Sequence, residues 1–371
     1  MSAVRFFGPV GNSSGYGVAV KSMALAFSNS KIQTKFSFSD KSMRNCGSFV
    51  RQLNNYKGKC NIDFYMHPPS WSKHASSNYK IAYFYWEADR LPTYWSRHMN
   101  SVNEIWAPCK LVQSACRKSG FKGEIKVVPT PIITERNFSD VIIPSYFSKN
   151  YSINNNVFKF YSIFQWHHRK GPDILLKSYW KEFKKDDNVC LILKTNPLNI
   201  KGNGVDSITI QIKKIKKSLS LDYYAPVYLM TDIIDSDKIN GLHKYADCYV
   251  SPHRGEGWGL PIHDAMHFEN HIIVTKFGGI TELLNPTNSN IIRHDMSKVS
   301  NMDWSPHVYK SFQKWANPSS QHLSALMRDV YDNESKEKYF SKIKSAKTLA
   351  DSMSVSGVSR KIEKLIYGIK K

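Results

Sequence analysis

Apolar and polar positions follow two rhythms along this 371-residue chain. Short apolar runs bounded by Gly, Pro or polar clusters read as strands, and apolar residues spaced three and four apart read as helices. VRFFGPV (4–10) predicts a strand, GNSSGYG (11–17) a glycine-rich turn and VAVKSMALAFSNS (18–30) a helix. NIDFYMH (61–67), KIAYFYWE (80–87), VNEIWAPC (102–109) and EIKVVPTPI (124–132) predict further strands. KLVQSACRKSG (110–120) predicts a short helix that Gly120 would cap. Periodicity lapses over 133–156, a candidate linker.

The alternation then resumes. VFKFYSIFQW (157–166), NVCLILKTN (188–196), PVYLMTD (226–232), DCYVSP (247–252) and HIIVTKFGG (271–279) read as strands. DILLKSYWKEFKK, SITIQIKKIKKSLSL, SDKINGLHKYA and IHDAMHFEN read as the helices between them, the third with Ser236 as its N-cap. Residues 320–371 are helical in pattern. Strands alternating with helices imply parallel, doubly wound sheets of the α/β class. Two such runs about a polar linker imply two Rossmann-like domains facing a central cleft, here 1–150 and 151–350.

Composition excludes several classes. Hydrophobic residues are 41% and charged residues 22%, ordinary for a globular chain and unlike a disordered or fibrous one. No run approaches the roughly 18 consecutive apolar residues of a membrane span. The first residues lack the charged start and long apolar run of a signal peptide, so the expected location is cytoplasmic. Six cysteines without a Cys-x-x-Cys pair predict reduced, structural thiols, with Cys248 inside an apolar run. The chain carries 52 Lys+Arg against 30 Asp+Glu, a formal charge of +22. Residues 1–150 hold 20 basic and 8 acidic side chains, leaving 32 and 22 for the rest. That excess matches an anionic partner or reflects a Lys-rich proteome.

The chemistry concentrates in SPHRGEGWGLPIHD (251–264). Gly255, Gly257 and Gly259 form a flexible loop just beyond a predicted strand, and Pro261 suits the first turn of the following helix. Glu256 and Asp264 stand eight apart, one in the loop and one in the helix. Ligands of doubly wound sheets bind outside the carboxyl ends of the strands, so these groups converge at a ligand position. Gly15, Tyr16 and Gly17 begin another glycine turn before a helix, which serves tight geometry or an anion site. Asp235-Ser236-Asp237 has the D-x-D spacing of some metal-dependent transferases, but its place at a helix start reads as capping.

Glu256-(seven residues)-Asp264 within P-x-R-G-E-G-W-G-L-P resembles the E-x7-E motif of the retaining glycosyltransferase family 4, with Asp264 in place of the usual second Glu. IAYFYWEADRLPTYW (81–95), NEIWAPCKLVQSACRKSGFKGEIKVVPTPI (103–132), SIFQWHHRKGPDILLKSYWKEF (162–183) and KFGGITELL (276–284) resemble further ordered segments of that family. The resemblance implies the GT-B fold, in which the second domain binds a UDP- or GDP-linked sugar as co-substrate and the first binds the acceptor. Arg169 and Lys170 would meet the donor diphosphate, so no cofactor and no metal is expected. Gly257, Gly259 and Leu260, the backbone of Gly278, Gly279 and Ile280, and Gly15, Tyr16 and Gly17 would line the donor site. Glu256 would lie by the transferred sugar and Asp264 by the ribose. Glu87 is a further candidate catalytic group at the cleft, and His67 or His98 would be the first-domain histidine near the sugar. Residues 351–371 would be a closing helix that crosses back to the first domain, or else a basic amphipathic membrane contact.

The expected acceptor is a saccharide such as a polysaccharide or lipid-linked glycan, with peripheral membrane contact through basic patches. The alternative is DNA carrying hydroxymethylated bases, which the charge and the Lys213, Lys214, Lys216, Lys217 cluster would suit. A non-catalytic module on the same scaffold would be expected to lack a motif acid, whereas both positions here are acidic.

Overall fold

The computed structural model describes residues 2–11, 15–38, 46–69, 78–133, 143–154, 156–197, 204–302 and 305–369. The first domain holds β1 (Ala3–Gly8), β2 (Gln33–Phe38), β3 (Ile62–Met66), β4 (Tyr79–Tyr83), β5 (Glu104–Ala107) and β6 (Glu124–Val127). These pair in parallel in the order β2-β1-β3-β4-β5-β6. The connections carry α1 (Gly15–Ser28), α2 (Gly47–Arg51), α3 (Thr93–Met99) and α4 (Lys110–Lys118). A helix α5 (Ile143–Tyr151) lies inside the segment expected to be a linker, and Phe147 docks its ring on Tyr245. Aromatic anchoring supplied what the polar sequence around it did not advertise.

The second domain holds β7 (Phe158–Trp166), β8 (Val189–Pro197), β9 (Val227–Met230), β10 (Cys248–Ser251), β11 (His271–Thr275) and β12 (Asn290–Ile292). They pair in parallel in the order β12-β11-β10-β7-β8-β9. Helices α6 (Pro172–Glu182), α7 (Gly204–Leu219), α8 (Ser236–Tyr245) and α9 (Leu260–His267) connect them. β7 is buried over its first five residues and β8 over its first seven, the pattern of strands covered by helices on each side. A hairpin of β13 (His294–Lys298) and β14 (Lys314–Pro318) follows, then α10 (Ser320–Asn333), α11 (Glu337–Ser352) and α12 (Val355–Tyr367).

The closing helix α12 belongs to the first core. Val358, Ile362 and Ile366 are buried with Val20, Phe27 and Trp106, and Ser359 Oγ donates to the Ala26 carbonyl at 2.8 Å. Several expectations need correction. The strand expected over 80–87 ends at Tyr83, which leaves Glu87 on a loop. α1 begins at Gly15, so Gly15, Tyr16 and Gly17 form its first turn rather than a loop before it. Asp235, not Ser236, caps α8, its carboxylate accepting from the Lys238 amide at 2.9 Å. The described cysteines are all unpaired and mostly buried. No helix among the described residues is long and apolar enough to cross a membrane.

Candidate active site

In each sheet the parallel strands end on one edge, and the chain reverses direction between β1 and β3 and between β7 and β10. Such switch points open a crevice at the carboxyl ends. The turn after β7 carries His168–Lys170, then Gly171 at φ 71° and Pro172 as the first residue of α6. Gly171 is required there, since a Cβ would come within 2.1 Å of the Pro252 carbonyl oxygen. That contact presses the turn against the loop after β10. Arg254 fastens the two: its guanidinium grips Asp173 at 3.1 and 3.0 Å and its amide donates to the Arg169 carbonyl at 2.7 Å.

The clamp brings the charged groups together. Lys170 Nζ donates to Glu256, and Arg169 lies 3.6 Å from the same carboxylate. Arg169 also reaches Glu87 of the first domain at 3.4 Å and donates to the Gly255 carbonyl at 2.6 Å. Burial alone would raise the Glu256 carboxyl, but Lys170 and Arg169 outweigh it and hold it down to about 2. Burial likewise opposes the Arg169 charge, and Glu87 and Glu256 keep the guanidinium protonated. Two carboxylates thus neutralise the two cations that a diphosphate would engage.

The glycine loop is packed, not flexible. A Cβ at Gly255 would sit 2.0 Å from the Glu87 carbonyl oxygen, and one at Gly257 would meet Tyr85 at 2.6 Å. The loop approaches the first domain so closely that only glycine fits. Gly259, at φ 89°, opens α9, and Leu260 lies against Gly15. Asp264 stands past the first turn of α9, so it is not a simple first-turn acid for the helix dipole. Gly278 and Gly279 pack on the Glu256 and Trp258 carbonyls, and the Ile280 amide donates to Trp258 at 2.7 Å. The Ile280 N–H is therefore already committed, whereas the resemblance implied a phosphate-facing role.

Tyr16 stands edge-on to Tyr85 at 5.4 Å, and burial raises its hydroxyl well above the usual range. His67 closes β3 on the same edge, its ring edge-on to Tyr65 with Nδ1 2.9 Å from the Pro68 carbonyl. His98 lies in the last turn of α3. The described contacts bring neither histidine into the Glu256 cluster.

Three participants were not singled out in the sequence, although Glu282 lies within the family-like KFGGITELL segment. Tyr309, carried by the hairpin connection, donates to Glu87 at 3.0 Å. His253 is fully buried beside Glu256, Lys170 and Arg169, and burial lowers its ring to about 4. Glu282 reaches across the domains and accepts the Lys110 and Leu111 amides at 2.6 Å each, capping α4 where Cys109 does not. Among the described residues Tyr16 Oη, Arg169 Nε, His253 Nε2, Thr195 Oγ1 and Thr275 Oγ1 are buried without a hydrogen-bond partner. Each such atom costs about 1–3 kcal/mol, which a polar ligand at this edge would offset.

Comparison with known proteins follows the same lines. Residues 156–299 match the family model described as glycosyl transferases group 1. No curated protein matches the chain. Solved structures resemble it along its whole length. HepE of Anabaena in complex with UDP and glucose is 12% identical, with all of both chains covered and a TM-score of 0.72. A glycosyltransferase from Rickettsia africae is 13% identical over 100% of this chain and 99% of that one, with a TM-score of 0.71. The trehalose-6-phosphate synthase OtsA is 11% identical over all of both chains, with a TM-score of 0.67. The fold is GT-B, and the match across the second domain supports a glycosyltransferase.

Proposed function

We propose that this chain is a retaining glycosyltransferase that moves a sugar from a UDP- or GDP-sugar to a saccharide or lipid-linked glycan. The observation that carries the reading is the buried Glu256–Lys170–Arg169–Glu87 cluster between the two carboxyl-end edges. Arg169 and Lys170 take up the diphosphate and leave Glu256 and Glu87 free to meet sugar and acceptor. Asp264, further along α9, accepts from the ribose hydroxyls. As the bond from the anomeric carbon to the diphosphate breaks, the acceptor oxygen bonds to that carbon from the same face. The acceptor proton leaves with the diphosphate. Fixed cations in a site shielded from water stabilise the charge that develops on the leaving group, so the chemistry needs no metal. That HepE was solved with UDP and glucose supports a uridine donor.

The test is a thermal-shift screen with UDP, GDP and their sugars, followed by transfer assays and proton NMR of the product anomer. A ligand at 100 times its Kd should stabilise by about 2.7 kcal/mol. Glu256→Gln should lower transfer by about a hundredfold or more while the nucleotide still stabilises the variant. No shift with any nucleotide, or an inverted anomer, would remove this reading.

A further inference from the structure

The segment that delivers Tyr309 to Glu87 also builds a second concavity. It holds about 460 Å³ and is lined by Thr93, Tyr94 and Arg97 of α3 and by His307 and Lys310 of the β13–β14 connection. Both domains contribute walls, so their contact assembles it. Arg97, His307 and Lys310 are exposed, and among the described residues no carboxylate pairs with any of them. Among the described residues no acidic side chain lines the concavity. Tyr94, 41% exposed, adds an aromatic wall.

An arginine, a lysine and a histidine around one concavity, with no carboxylate paired to them among the described residues, favour an anion. A guanidinium fork matches the paired oxygens of phosphate, and an ammonium adds a point charge. The volume falls within the roughly 300–1,000 Å³ range of small-ligand pockets. It suits one phosphorylated sugar or head group, whereas a duplex with a groove about 12 Å wide would need an extended stripe. His307 and Lys310 flank Tyr309 in the chain, and Tyr309 holds Glu87. The concavity therefore shares a segment with the acceptor side of the cleft.

We infer that this concavity binds a phosphate group carried by the acceptor saccharide. The inference rests on the glycosyltransferase reading above, and its test separates the two. The full chain is first saturated with UDP to fill the donor site. Inorganic phosphate is then titrated against chloride at constant ionic strength, with the thermal midpoint as readout. The wild-type protein should show saturable stabilisation, and the Arg97→Gln/Lys310→Gln variant should need at least roughly tenfold more phosphate. Both proteins should respond equally to UDP, which reports an intact fold and donor site. Binding to phosphatidylglycerol vesicles that the variant loses would support the site and name a lipid-borne phosphate as its source. Equal phosphate response in the two proteins, or none in wild type, would overturn the proposal. So would duplex DNA displacing phosphate from these residues at far lower concentration, which would make the surface a nucleic-acid contact. Absence of any response to UDP and to GDP would overturn the donor reading instead, and the phosphate comparison would still decide the concavity.

Discussion

Glu256 shows how much of the site depends on partners distant in sequence. Its motif marked it as a candidate, yet its low proton affinity comes from Lys170 and Arg169, 86 and 87 positions earlier. That Glu256, Arg169 and Lys170 share one site was legible, because each belongs to a recognisable segment at the end of a predicted strand, but their ion pairing was not. His253 and Tyr309 were not, since nothing in a lone residue's neighbours says that packing will bury it. Burial has a measurable consequence for the histidines. His253 and His271 are both buried and both lowered to about 4 by desolvation, with Lys342 near the second adding to the effect. An unfolded histidine titrates near 6.5, so below that pH the unfolded chain binds more protons than the native one. Their contribution to stability is thus complete above about pH 6.5 and lost as pH falls toward 4, by up to about 1.4 kcal/mol per pH unit for each ring. Glu256 does not mask this, because its own contribution fades only below about pH 4.5. The thermal midpoint should drop between pH 7 and 5 at constant ionic strength, and His271→Asn should flatten the profile. A flat wild-type profile would mean that these rings are solvated in the native state.

At the scale of elements, strands with continuous apolar runs were the most legible. VFKFYSIFQW and NVCLILKTN became β7 and β8 nearly to the residue. QTKFSF did not announce β2, because an edge strand alternates with exposed polar positions and hides among loops. The β13–β14 hairpin escaped for a similar reason: two of its strand residues are Lys and its connection is long and polar. α12 carried a clear amphipathic pattern, with Val358, Ile362 and Ile366 on one stripe. The pattern alone left two occupants for that stripe, a membrane surface or the first domain. The structure buries it on α1, with Ile362 wholly inside the first core. Ile362→Ala should therefore destabilise the protein by about 2–5 kcal/mol, a cavity effect that urea denaturation would measure. A loss below about 0.5 kcal/mol would place the helix on the surface.

The whole molecule is held by bonds that join its two halves, and these were the least legible of all. Glu282 meets Lys110 across 172 positions, and across 225 the Asp89 amide donates to the Lys314 carbonyl while the Lys314 amide donates to the Asp89 carboxylate. The Ile132 amide donates to Met353 at 2.9 Å, and the Val355 amide donates to Ile132 at 3.1 Å, where the chain returns to the first domain. A periodicity can show that a face will be covered, but not by what. Among these bridges Glu282 can be removed without touching either core. It takes two amides at the start of α4, where the helix dipole favours a negative group. Loss of such a cap costs about 0.5–2 kcal/mol. Here that cost falls on the contact between domains, because helix and cap belong to different halves. One to two kcal/mol changes an equilibrium ratio by roughly five- to thirtyfold. Glu282→Ala should thus populate an open arrangement, seen as a larger radius of gyration by small-angle X-ray scattering without nucleotide. UDP, by bridging Arg169 and Lys170 of the second domain to the first turn of α1 in the first, should restore the wild-type radius. An unchanged radius in the nucleotide-free variant would assign closure to the Glu87–Arg169 pair and the hairpin instead.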